Sequence, residues 1–165
     1  MAGFNQSDLE KMLTEFLSCT EKGDDLSPCN VFSGRAVKRA YNITDFENPP
    51  GSGKFLSANA IATYVATSNT WVKIGEASDQ STLTQAQAYA NQGRAVLAVH
   101  PADPHGHVAL VLPGALTPSS KWKLKVPNSA CFFIGRPKEA YIGKGLGFAF
   151  SLPNGVKIYG RESGK

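Results

Sequence analysis

The hydrophobic pattern of this chain changes its period near Arg94, and that change constrains the fold more than any other feature. Before it, apolar residues recur at the three-and-four spacing of a helix face; after it, β-branched and aromatic residues alternate, as strands with a buried face require. The first helix is predicted over 7–19, where Leu9, Met12, Leu13, Phe16 and Leu17 share one side, Ser7 can cap, and Glu10 completes a capping box. A loop over 20–28 leads to a second helix that starts at or just after Cys29 and carries Val31, Phe32, Ala36, Val37, Ala40 and Tyr41 on its apolar side. Turn-rich 42–53 is followed by two shorter helices, 57–66 and 83–92, separated by 71–74. Strands are predicted over 95–100, 107–112, 121–126, 131–134, 148–152 and 156–159, the last two flanking Pro153-Asn154-Gly155, a hairpin signal. Helices first and strands later imply one α+β domain over 1–165, with N-terminal helices packed on an antiparallel sheet.

Composition narrows the function. There are 17 Lys+Arg against 13 Asp+Glu, a net charge of +4 with no run of like charges, which is too weak an excess to indicate nucleic acid. The longest apolar stretches, 95–99 and 108–112, are far below the roughly 20 residues that cross a bilayer, so no membrane insertion is expected. Acidic Asp8, Glu10 and Glu15 interrupt the N-terminal apolar residues, so the basic start and apolar middle of a signal peptide are missing and synthesis in the cytoplasm is expected. Gly51-Ser-Gly-Lys54 lacks the first glycine, the hydroxyl residue and the leading strand of a phosphate loop. Gly143, Gly145 and Gly147 read as a turn or bulge, and Trp71 and Trp122 as core or rim aromatics.

Three cysteines, Cys19, Cys29 and Cys131, are too few for a disulfide scaffold and leave one thiol over. Cys29 opens a helix, where unsatisfied N–H groups and the macrodipole lower a thiol pKa and can hold an oxyanion. The bland alternative is a small buried hydrophobe. A thiol mechanism also needs a base, and the histidines cluster at His100, His105 and His107 in Val-His-Pro-Ala-Asp-Pro-His-Gly-His-Val. His107 is the best candidate, since Gly106 gives room beside it and Val108 to Leu112 would anchor it at the mouth of a core strand; His100 and His105 read as strand-end or loop histidines without a task.

Read together, Ser27-Pro-Cys29-Asn-Val-Phe32-Ser-Gly-Arg-Ala-Val37, Ala58-Asn-Ala60, Trp71-Val-Lys73, Gly93-Arg-Ala-Val96 and Gly106-His-Val-Ala-Leu-Val111 resemble the NlpC-like branch of papain-fold cysteine peptidases, most closely the peptidoglycan amidase effectors of type VI secretion systems. The resemblance covers roughly residues 26–135 and departs at Asn30-Val31, where the family commonly has Ser-Gly. It implies a papain-like fold, Cys29 as nucleophile and His107 as base, with no cofactor and no metal. The third residue, which orients the imidazole, is Asn128 by chemistry or Cys131 by position, and Cys19 could pair with Cys131 in an oxidising compartment. It further implies cleavage of an amide in the peptide stem or crosslink of peptidoglycan, secretion into the periplasm of a target bacterium, and a cognate immunity protein as partner. Two rivals stand beside it: a zinc-dependent wall peptidase using His105 and His107, with Asp103 or His100 as a further ligand, and a non-catalytic wall-binding module.

Overall fold

Helical spacing ahead of Asn42 becomes α1 (Gln6–Glu21) and α2 (Cys29–Tyr41) in a computed structural model that describes residues 6–21, 29–49, 51–52, 54–102, 106–133 and 137–162, without the side chains of 6, 15–21, 29–32 and 137. Gln6 is a competent helix former and extends the first turn, so Ser7 stands inside α1 instead of at its cap position. In α3 (Ala58–Thr67), Ser57 is the cap: its Oγ accepts from the Ala60 N–H at 3.1 Å, and Ala58, Ile61, Ala62 and Val65 are buried. α4 (Gln80–Asn91) starts earlier than the apolar residues alone suggest, because Asp79 ends the preceding turn, and it stops before Gly93 at φ +82.

The strands are β1 (Trp71–Glu76), β2 (Val96–His100), β3 (His107–Val111), β4 (Thr117–Ser119), β5 (Leu124–Val126), β6 (Asn128–Cys131), β7 (Tyr141–Gly145) and β8 (Lys157–Arg161). Six of them form an antiparallel sheet in the order β1-β8-β2-β3-β6-β7, while β4 and β5 pair as a separate hairpin. The fold is therefore α+β, with helices on an antiparallel sheet.

Several predicted strands move. Residues 148–152 are not a strand: Leu146–Phe148 is a 3-10 turn closed by Ala149 N–H to Leu146 O at 2.9 Å, and the adjacent Ala149 and Phe150 are both buried, which alternation forbids. Pro153 to Gly155 does turn the chain, through Val156 N–H to Pro153 O at 3.1 Å, but it feeds β8 into a slot between β1 and β2 and joins no hairpin. The strand expected over 131–134 runs instead over β6, and that expected over 121–126 shortens to β5. β7, with Tyr-Ile-Gly-Lys-Gly, has too little alternation to be read as a strand; Gly143, at φ +95, is the residue skipped where the β6–β7 register slips, and the bulge lets the strand pair on either side of it.

Both faces of the sheet are covered. Leu97, Val99, Val108, Leu110 and Phe132 point to α1, α2 and α3, with Leu9, Met12, Ala36, Val37 and Ile61 against them. Ala98, Ala109, Val111, Cys131 and Ile158 point the other way, to Leu83, Ala86 and Ala90 of α4 and to Trp122 and Val126 around the hairpin.

Candidate functional site

The site lies where β2 and β3 open. Their last pair is His100 opposite His107, and Ala102, just past β2, is held from α3: Asn59 Nδ2 donates to Ala102 O at 2.9 Å, and the Ala102 N–H donates to Asn59 Oδ1 at 3.2 Å. A Cβ on Gly106 would stand 2.4 Å from Asn59 Oδ1 and 2.9 Å from His100 O, so only glycine admits this clamp. Asn59 is thus a positioning residue for the strand that His107 begins. No role was legible for it in the sequence; an amide among the small apolar residues Ala58, Ala60 and Ile61 was the available signal.

His107 is half-buried. Its ring stacks on Phe133 with centroids 5.4 Å apart and meets Phe150 edge-on at 5.1 Å, which leaves the imidazole little freedom to rotate. Its Nε2 lies 3.0 Å from the Sγ of buried Cys131. The contact follows from register: with Leu110 opposite Ala130 and Val111 opposite Ser129, residues 107 and 131 are diagonal neighbours on one face. The Cys131 Sγ also lies 3.9 Å from Val108 O and 3.7 Å from Phe132 O, both carbonyl acceptors. Cys131 forms no disulfide in the structure, and the Cys19 side chain lies outside the described residues.

A second layer backs the cysteine. Tyr141 stands opposite Cys131 on β7, and its phenol meets Ser129 Oγ at 2.9 Å. Ser129 Oγ donates to Lys144 O at 2.8 Å, so it accepts from the tyrosine. Burial, and then the neighbouring Cys131, raise the Tyr141 pKa above its usual 10.0 and keep the phenol a donor.

Asn128 does not reach this place. Its Nδ2 donates to Pro113 O at 2.9 Å, its N–H donates to Gln87 Oε1 at 2.9 Å, and its carbonyl accepts from Leu112 N–H. It therefore sits at the far end of β3, five residues along from His107, on the order of 16 Å away. Its amide shapes the turn after β3, and it is Cys131 that the structure brings to the imidazole. His100 points to the 153–155 turn, where a Cβ on Gly155 would lie 2.9 Å from its Nε2, and to Phe150.

Cys29 is the first residue of α2, and α2 packs against β3 and β6, the strands that carry His107 and Cys131. The Cys29 side chain, and Asp103 and His105 altogether, lie outside the described residues. Among the described residues no three His, Cys, Asp or Glu side chains converge to hold a metal ion, and no helix is long and apolar enough to cross a membrane. Trp71 and Trp122 are both buried, their Nε1 groups donating to Asp45 Oδ2 at 2.8 Å and Phe150 O at 3.1 Å. The chain matches no protein-family model and no curated protein.

Proposed function

We propose that the protein is a cysteine amidase of papain-like type acting on the peptide part of peptidoglycan, with Cys29 as nucleophile, His107 as base and Cys131 as the residue that orients the imidazole. The observation that carries this reading is the 3.0 Å contact between His107 Nε2 and Cys131 Sγ. A base must be held in one tautomer and one orientation, and the ring is held by a partner at Nε2 and aromatic walls at Phe133 and Phe150. With the Cys131 S–H directed to the Val108 or Phe132 carbonyl, its sulfur lone pair accepts the Nε2 proton, and Nδ1 carries the lone pair that removes a proton from a nucleophile.

The reaction then runs in two halves. His107 Nδ1 takes the Cys29 proton, the thiolate adds to the amide carbonyl, and N–H groups at the start of α2 receive the oxyanion. The imidazolium returns the proton to the leaving amine, and a water activated by the same nitrogen releases the acyl group. By strand alternation His107 shares the face of Ala109 and Val111, while α2 buries Ala36 and Val37 with Val108 and Leu110 on the other. The proposed dyad therefore requires Cys29 to reach His107 around the open end of β3, of which His107 is the first residue. An acceptable bond is one in the stem or a crosslink, and delivery to a target bacterium's periplasm with an immunity partner belongs to the same reading. Incubation with purified muropeptides tests it: cleavage is expected from the wild-type chain, and Cys29→Ala cleaving at the wild-type rate would overturn the mechanism. Activity that survives Cys29→Ala and disappears with a chelator would favour the zinc rival.

A further inference from the structure

The positive charge of the chain is not spread evenly. From Gly106 to Lys138 the sequence carries Lys121, Lys123, Lys125, Arg136 and Lys138 and no acidic residue. Three of these lie on the β4–β5 hairpin or its turn, and between that hairpin and the 145–148 turn is a cleft of about 260 Å³. It is lined by Thr117, Ser119, Ser120, Lys121, Gly147 and Phe148, among others, with no Asp or Glu in its wall among the described residues. A Cβ on Gly147 would fall 2.6 Å from Ser119 Oγ, so glycine keeps the floor open.

Among the described residues Phe148 is the most exposed large apolar side chain, an aromatic ring 66% open to solvent at the cleft. The exposed Lys144 holds its ammonium 5.6 Å from the Phe148 centroid and 5.9 Å from that of Tyr141, so a cation stands over the rim. The cleft is also connected to the candidate site. Rings run from His107 to Phe133 at 5.4 Å, to Tyr141 at 6.3 Å and to Phe148 at 6.4 Å. Phe150, two residues beyond Phe148, touches the His107 ring, and its carbonyl is fixed by Trp122 of the hairpin turn. Phe133 and Tyr141 are buried, so the path is a bound on distance: the Phe148 ring lies no more than about 18 Å from that of His107, which roughly five or six extended residues cover at about 3.3 Å each.

We infer that this cleft seats a carboxylate of the stem peptide, with Lys121 and Lys144 supplying the charge, the Thr117, Ser119 and Ser120 hydroxyls the donors, and Phe148 the apolar wall. The inference rests on the proposed amidase reading for the identity of its ligand. The cation and hydroxyl set selects an anion, the aromatic wall selects one attached to an apolar or ring-bearing chain, and the absence of acidic lining removes any competing repulsion.

The test uses the full chain with Cys29→Ala, titrated calorimetrically with a disaccharide tetrapeptide bearing its natural carboxylates and with the same compound amidated at those carboxylates. The acid form is expected to bind about tenfold more tightly, the pair Lys121→Gln with Lys144→Gln to reduce that ratio toward one, and Phe148→Ala to weaken both forms alike. These positions are exposed, so the variants should melt like the parent chain. No preference for the acid form, the same preference in the lysine pair variant, or unchanged affinity for both forms in Phe148→Ala overturns the inference. Cleavage by the Cys29-containing chain is read separately. Cleft-dependent binding without cleavage removes the amidase reading alone; cleavage whose KM is unmoved by the cleft variants removes the cleft alone.

Discussion

On the sheet face covered by α1, α2 and α3, charged side chains tie backbone segments together, whereas the face covered by α4 ties its segments with uncharged amides such as Gln87 and sets one imidazole among aromatic rings beside a thiol. Asp45 shows the first use: its carboxylate accepts from Trp71 Nε1 and from Arg161 Nε, both at 2.8 Å, joining the 42–49 segment to the two outermost strands at one edge. Lys38 of α2 meets buried Glu47 at 2.8 Å in the same service. Cys131, His107, Ser129 and Tyr141 show the second: His107 meets Cys131, and Tyr141 meets Ser129, whose Oγ also donates to Lys144 O at 2.8 Å. A charged group that staples loops contributes to stability wherever it sits, but a thiol touching an imidazole adds little stability and changes what the imidazole can do. The difference is thus one between charged groups that hold the fold and an imidazole placed to carry a proton.

Changes on the two faces should separate activity from stability. The largest effect is expected from His107→Ala on the second face: muropeptide cleavage falls by at least about a thousandfold while thermal unfolding moves by a few degrees. A variant that cleaves normally would end the idea that this face does chemistry. Next comes Asp45→Ala on the first face, which leaves a buried indole N–H and a partly buried guanidinium without their acceptor and should cost about 3 kcal/mol in denaturant unfolding, with activity per folded molecule unchanged.

A smaller effect belongs to Cys131→Ala. Removing the acceptor for Nε2 should lower kcat about tenfold and shift the pH–rate profile, Cys131→Ser restoring part of both, while stability changes by only about 1 kcal/mol. Equal profiles in all three proteins would reduce Cys131 to a core residue. The smallest effect spans both faces. Tyr41, beside the first cluster, and Tyr141, in the second, both have pKa values raised above 10.0, in each case chiefly by burial. The folded chain therefore keeps phenolic protons that the unfolded chain loses from about pH 10 upward, so their contribution is complete below that pH and declines as pH rises through it. Tyr41→Phe and Tyr141→Phe should each flatten the alkaline fall in stability, and an unchanged slope in both would exclude the tyrosines as its source.

Much of this was legible in the chain. The helical spacing of Leu9, Met12, Ala36 and Val37 is a local property, as is the alternation of Val96 to His100 and His107 to Val111, and each became the element its period demands. Cys29 at a helix start and His107 at a strand start were readable for the same reason. The 148–152 segment misled because Phe148, Phe150 and Leu152 alternate in sequence, yet Phe148 and Leu152 are 66% and 60% exposed and the backbone turns at Leu146–Phe148. β7 was missed because its glycines carry no pattern, and β6 supplies the ladder that makes it a strand.

The sequence by itself determined the α+β division at Arg94, the helix that Cys29 opens and the strand that His107 begins, since propensity and periodicity act over a few neighbouring residues. Only the tertiary structure decided between Asn128 and Cys131 as the partner of His107. Those candidates are three residues apart on one strand, and the register of β6 on β3 carries Asn128 to Leu112 and Cys131 to within 3.0 Å of the imidazole. Register is set by the whole sheet packing both faces at once, which no local pattern encodes.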